Sequence, residues 1–143
     1  MSDFSPDQMK SFNQQVIDEF RANGGETTGP FAGAPLLLLN STGAKSGETR
    51  TSPVVHTRDG DNYIIIASKA GAPTNPDWYH NLVANPRATI EVGTETITVD
   101  AHAAEGAERT RLYDAQAAVM PNFAEYATLT TREIPVMVLV PVS

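Results

Sequence analysis

The chain has no cysteine among its 143 residues. That excludes disulfide scaffolds, zinc–thiolate sites and thiol nucleophiles, and it fits a reducing compartment. A chain of this length suits a single domain spanning 1–143 and needs no covalent or metal staple, since it buries roughly two thirds of the surface its unfolded form exposes. Basic residues are scarce, with 10 Lys and Arg against 17 Asp and Glu, for a formal net charge of -7. So acidic a chain lacks the cation track that a phosphate backbone needs, and nucleic acid is excluded as a general partner. The longest aliphatic run is Leu36–Leu39, far short of the roughly 20 residues that span a bilayer, and Met1–Lys10 has no apolar core of signal-peptide type. The cytoplasm is the expected location. His56, His80 and His102 show neither HxH nor HExxH spacing, so no metal is expected, and no nucleophile elbow marks a serine hydrolase. GxGxxG and GxxxxGK[ST] are both missing, which argues against dinucleotide-binding and P-loop folds.

What is present reads as alternating short elements. Ser5-Pro6 opens a helix, and Met9, Phe12, Val16 and Phe20 recur at helical spacing as far as Asn23-Gly24-Gly25. The helix expected over 6–22 packs on a sheet. The weaker alternative is an interfacial membrane helix, but Asp7, Asp18 and Glu19 deny it a basic face. Gly24–Ala34 reads as a loop. Leu36–Asn40, Thr51–Arg58 and Asn62–Ser68 read as strands of a meander, the last two joined by an Asp59-Gly60 hairpin turn. Asn75-Pro76 repeats the cap-and-proline signal for a short helix to Ala84, and Asn85-Pro86 ends it. Strands follow over 88–92 and 95–103. A helix over 108–119 carries Leu112, Ala115 and Val119 on one face, a short helical piece follows within 122–129, and Ile134–Val140 closes the chain as a strand. The fold class is α+β, mainly β: a curved antiparallel sheet closing into a small barrel, with helices outside.

Three stretches could carry chemistry. Ser41–Arg50 places two glycines, four hydroxyls, Lys45 and Arg50 between apolar strands, the parts of an anion site and equally of a plain polar turn. Between Glu26 and Asp59 the only acid is Glu48, against Lys45, Arg50 and Arg58, so the local charge is inverted relative to the whole chain. Ala67–Ala72 puts Lys69, the only charged residue between Asp61 and Asp77, at a strand end among small residues. That suits a phosphate or carboxylate, or a solvated lysine. Pro76–Leu82 holds the only tryptophan. On a helix Trp78, Asn81 and Leu82 share a face while Tyr79 lies to the side, which makes a pocket wall or ordinary core.

Taken in order, S-T-G-x-K-S-G-x-x-R at Ser41–Arg50, Pro53, R-D-G-D at Arg58–Asp61, A-S-K-x-G-A-x-x-x-P-x-W-Y-x-N-L at Ala67–Leu82 and Asn85-Pro86 resemble the deazaflavin (coenzyme F420)-dependent nitroreductase family, with its F420H2-dependent quinone reductases. Arg132–Pro135 resembles the family's closing strand. The resemblance implies a split β-barrel like the flavin mononucleotide-binding oxidoreductases, with peripheral helices and F420 (an 8-hydroxy-5-deazaflavin) in a groove. It implies that Lys45, Ser46, Arg50 and Lys69 hold the anionic tail and phosphate, and that Pro53, Val55, Ala67, Ser68, Trp78 and Asn81 surround the ring or its ribityl arm. Two departures stand out. Ala44 occupies a position where some relatives carry a basic residue, and Met120, Phe123 and Tyr126 replace a row of tyrosines three apart.

The activity implied is hydride transfer from reduced F420 to a small electron-poor acceptor such as a quinone, an enone or a nitro compound. Trp78, Met120, Phe123 and Tyr126 would wall the acceptor, and Ser68 or Tyr126 would hydrogen-bond its oxygen. Two alternatives of different class remain at this point. One is a barrel that stores F420 without turnover; the other is a related barrel holding flavin mononucleotide or a lipid-like ligand. A homodimer is expected by fold-level analogy alone.

Overall fold

A computed structural model describes residues 6–25, 35–68, 75–130 and 133–142, with side chains from Asn13 onward. Lys69, the 70–74 loop, most of the 24–34 loop, Ser5 and Arg132 lie outside the described residues. In chain order the elements are α1 (Pro6–Ala22), β1 (Leu36–Thr42), β2 (Thr49–Val55), β3 (Thr57–Asp59), β4 (Asn62–Ile66), α2 (Asp77–Ala84), β5 (Arg87–Val92), β6 (Glu95–Ala103), α3 (Gly106–Val119), α4 (Asn122–Tyr126) and β7 (Val136–Pro141).

All described strand pairs are antiparallel, in the order β2-β1-β5-β6-β7-β4-β3. The two edge strands, β2 and β3, are consecutive in the chain with only His56 between them. The sheet therefore curls until its edges meet at that residue, which is the barrel expected from the short turns. The second strand is not the single run Thr51–Arg58. It splits at His56 because its first half pairs with β1 and its second half with β4. At the corner the His56 N–H leaves both ladders and bonds the Pro35 carbonyl at 2.9 Å. Pro53, opposite Leu38, has no N–H to give, and the sheet tolerates it because β2 has no strand on its other side.

Strand alternation sorts the apolar residues into an inside and two outside layers. Leu37, Leu39, Val54, Tyr63, Ile65, Ile90, Val99, Met137 and Leu139 fill the interior, and Trp78 and Leu82 of α2 join them. Leu36 and Leu38, on the opposite face of β1, pack under Val16, Ile17 and Phe20 of α1. Ile64, Ile66, Val136 and Val138 pack under Leu112 and Tyr113 of α3 and Phe123 of α4. Where α1 ends, Gly25 takes φ 89° and approaches Gly93 so closely that a Cβ would lie 2.3 Å from the Gly93 Cα. Only glycine allows the β5–β6 turn to sit against the helix end.

Two local expectations need correction. Pro76, not Asn75, holds the N-cap of α2, without a side-chain cap hydrogen bond, and Asp77 supplies the favourable negative charge in the first turn. The buried stripe of α3 is Leu112, Tyr113 and Gln116, while Val119 is 68% exposed. Tyr113 bonds the Phe123 carbonyl and Gln116 accepts from the Thr57 hydroxyl at 3.1 Å. Polar partners, not hydrophobic period, set that face.

Candidate functional site

At the rim of the barrel β1 turns into β2 through 43–48, and a groove of about 940 Å³ opens there. The loop is a tight, self-bonded structure. Gly43 donates to the Glu48 carbonyl at 2.7 Å, Gly47 donates to the Gly43 carbonyl at 3.0 Å, and the Glu48 N–H meets Ser46 Oγ at 3.2 Å. From the interior side α2 clamps the loop. Asn81 is 8% exposed; its Oδ1 accepts from the Ala44 N–H at 3.0 Å and its Nδ2 donates to Ser41 Oγ at 3.4 Å. Asn85 Nδ2 donates to the Thr42 carbonyl at 3.4 Å. The Lys45 and Ser46 amides are left without a protein partner among the described residues. Two successive free N–H groups on a small-residue loop form a concavity for an anion.

The charge in the groove runs against the charge of the molecule. Arg21, Lys45 and Arg50 line it, opposed by one carboxylate, Asp77. Arg50 reaches Glu48 at 3.4 Å, but both side chains are more than half exposed. Such a pair holds little energy and yields readily to a better anion. Lys45 makes no ion pair among the described residues. Gly43 contributes space: a Cβ there would stand 2.6 Å from Ser46 Oγ and 3.2 Å from the Glu48 carbonyl.

On the outer side the groove is walled by α1 through Asn13, Gln14, Ile17 and Arg21. Arg21 grips Glu91 of β5 through two nitrogens, at 3.0 and 2.7 Å. That guanidinium holds the Glu91 carboxyl below the usual carboxylate range. Asn40 donates to Glu91 at 3.0 Å and accepts from Thr51, itself a groove residue, at 2.6 Å. Motif reading missed the α1 residues, because polar positions beside the apolar stripe of an amphipathic helix look like ordinary solvent-facing ones. Ser52, on edge strand β2, and His80, on α2, also line the groove and were given no role from the sequence.

Of the residues singled out from the sequence, Lys45, Ser46, Arg50, Trp78 and Asn81 come together in this groove. Val54, not Pro53 or Val55, points inward from β2; Val55 packs with both outer layers. Ala67 and Ser68 are buried just past the end of β4. Met120, Phe123 and Tyr126 cluster under α3 and α4, a different layer from the one that holds Trp78. The Phe123 and Tyr126 rings meet edge to face at 5.3 Å, and Asn122 Nδ2 donates to Tyr126 Oη at 2.9 Å. That bond uses a lone pair and leaves the phenol proton to give. Among the described residues no cluster of acids and histidines could hold a metal ion.

A curled antiparallel sheet with helices outside and an anion groove at its rim is the split-barrel architecture of flavin- and deazaflavin-binding proteins. Within that class the chain belongs to the F420H(2)-dependent quinone reductase family, whose model matches residues 12–141. It is 40% identical over 124 residues to an F420H(2)-dependent quinone reductase of Mycobacterium tuberculosis, covering 84% of this chain and 83% of that one. A solved F420-H2 dependent reductase (FDR-A) is 37% identical, with a TM-score of 0.68 over 73% of this chain and 93% of that one. A solved domain-swapped dimer is 32% identical, with a TM-score of 0.70 over 94% of this chain and 99% of that one.

The residues present fit F420. Its phosphate and carboxylates need donors and positive charge, which the Lys45 and Ser46 amides, Lys45 and Arg50 offer beside the hollow at Gly43.

Proposed function

We propose that this protein binds F420 with its anionic part in the rim groove and reduces a small electron-poor acceptor of the quinone class. The observation that carries the reading is the groove itself, positively charged on a strongly acidic chain and built by the loop that the family motif specifies. F420, when bound in its reduced form, supplies a hydride. The chain supplies binding, orientation and a proton-donating contact.

In this reading Lys45, Ser46 and Arg50 hold the tail and phosphate, and Lys69 joins them as the family resemblance implies. Trp78 walls the inner end. Asn81 acts through the loop rather than on the ligand, since both ends of its amide are spent on Ala44 and Ser41. Tyr126, oriented by Asn122, offers its phenol proton to the acceptor oxygen, and Ser68 is a second donor. Tyr126 orients the acceptor through its hydrogen bond, and water completes the protonation. Met120 and Phe123 give the acceptor side an apolar character that suits a quinone ring better than a nitroimidazole. No described helix is long and apolar enough to cross a membrane, and the cytoplasm remains part of the proposal. The domain-swapped relative supports a homodimer as the working assembly.

The test is a fluorescence titration with F420 at several salt concentrations, followed by turnover of the reduced form with a quinone. Micromolar binding that weakens with salt is expected, because the contacts are exposed charges. Absence of binding refutes the assignment. Binding without oxidation by any quinone, enone or nitro compound turns the protein into an F420 carrier.

A further inference from the structure

We infer that the groove-facing edge of α1, Asn13 and Gln14 with Arg21 as its anchor, is a second wall of the ligand site that binds the carboxylate-bearing outer part of the tail. The inference rests on the proposed F420 reading and extends it to an element that no motif marks.

Four α1 residues, Asn13, Gln14, Ile17 and Arg21, line the same groove as Lys45 and Arg50. Their spacing of one, four and eight puts them along one edge of the helix. The helix is fixed at a set distance from the basic wall by two independent attachments. Val16, Ile17 and Phe20 bury against Leu36 and Leu38. A continuous chain of bonds runs from Arg21 through Glu91 and Asn40 to Thr51, which stands in the groove floor. The wall is thus tied to β2, the strand that carries Arg50, and does not hang free.

Its chemistry differs from that of the opposite wall. Arg21 has its charge matched by Glu91, so the groove edge of α1 brings neutral amide donors, with the Asp18 carboxylate beside Gln14. The Asn13 side chain makes no hydrogen bond among the described residues. Gln14 Nε2 bonds Asp18 at 2.9 Å in an exposed i, i+4 pair, which water or a ligand carboxylate can replace. The described groove edge of α1 carries no aromatic side chain to stack on a ring system. Amide donors without aromatics suit carboxylates and the peptide-like links between them. Lys45 and Arg50 on one side and neutral amides on the other grip a flexible polyanion without demanding a fixed number of charges.

The experiment compares wild type, the double variant Asn13→Ala/Gln14→Ala and the control Gln15→Ala, whose residue is exposed and off the groove. Alanine favours helix, so α1 stays formed, and circular dichroism checks it. Each protein is titrated with F420 and with the corresponding 8-hydroxy-5-deazaflavin that lacks phosphate and carboxylates. The double variant should bind F420 roughly tenfold more weakly, from two lost hydrogen bonds to charged groups. Binding of the tail-less deazaflavin and the salt dependence of F420 binding should stay as in wild type, as should everything for Gln15→Ala. Equal F420 affinity in wild type and double variant overturns the inference, and so does an equal loss for both ligands. If wild type itself takes up no F420, the reading beneath fails instead, an outcome distinct from wild-type binding that Asn13 and Gln14 leave untouched.

Discussion

Replacing Asn81 separates loop order from groove charge. Asn81→Leu keeps the volume and removes both hydrogen bonds. The Ser41 hydroxyl is then stranded at 1% exposure, while the exposed Ala44 amide can return to water. A buried unpaired hydroxyl costs about 1–3 kcal/mol, so the variant should lose about 2 kcal/mol. With a urea m-value of about 2 kcal/mol/M, the midpoint falls by about 1 M. Binding falls as well, because the Lys45 and Ser46 amides are no longer held in place. Fixing one residue again on binding costs about 1–2 kcal/mol, a loss of roughly five- to thirtyfold in affinity.

Asn81→Asp makes the opposite dissection. The carboxylate still accepts from Ala44, and Ser41 can donate to it, so the urea midpoint should stay close to wild type. The new negative charge faces the anion. At roughly 7 Å and an effective dielectric of about 40 the repulsion is about 1 kcal/mol, or about fivefold in affinity, and it fades with salt. Urea melts without cofactor and fluorescence titrations with F420 report the two effects independently. A Leu variant with wild-type midpoint and wild-type affinity refutes the clamp. An Asp variant that binds as tightly as wild type at low salt shows that no anion sits beside this loop.

Gly43→Ala should leave the barrel intact by circular dichroism yet weaken F420 binding roughly tenfold, since the methyl must displace Ser46 Oγ from 2.6 Å; unchanged affinity would show that the hollow is not used. Tyr126→Phe should lower turnover with quinones while F420 affinity holds, and equal turnover with every acceptor removes the residue from the chemistry. Burial, with Arg58 adding to it, pushes His56 below its ordinary 6.5 against the opposing pull of the Pro35 carbonyl. The unfolded chain therefore takes up a proton before the folded one does, and stability should fall as pH drops from about 6.5 through the lowered value. Urea midpoints at pH 7.5, 6.5 and 5.5 should converge between wild type and His56→Gln if the second is the less stable at neutral pH, and parallel lines exclude His56 as the titrating group. Glu91 and Asp59, both held low by arginines, act only below about 4.5.

Much of the fold was legible because its signals are local. The bounds of α1, the Asp59-Gly60 turn and the β5–β6 hairpin follow from residues that touch their own neighbours. The break at His56 was not legible. The strand pattern continues through it, and what changes there is the partner strand, which lies elsewhere in the sequence. Gln116 hid the true face of α3 for a related reason: a fully buried amide bonded to Thr57 counts as polar in any periodicity. The basic wall of the groove was readable from its glycines and its inverted charge. The α1 wall was not, because what brings that helix to the site is packing on β1 and the pairing of Arg21 with Glu91, 70 residues away, neither of which a local pattern shows.

The rim is therefore supported twice, from sides that share no side chain. Inside, Asn81 and Asn85 tie the loop to α2, which is anchored in the barrel core by Trp78 and Leu82. Outside, α1 is tied to β5 and β1 through Glu91 and Asn40. Weakening one support leaves the other standing, so effects at Asn81 and at Asn13 should add in free energy. Met120, Phe123 and Tyr126 belong to a third layer, under α3 and α4. Substitutions there should act on the proposed acceptor contacts without loosening either support of the anion loop. A scaffold so divided lets the proposed acceptor contacts at Met120, Phe123 and Tyr126 change while the loop that carries Lys45, Ser46 and Arg50 stays held from both sides.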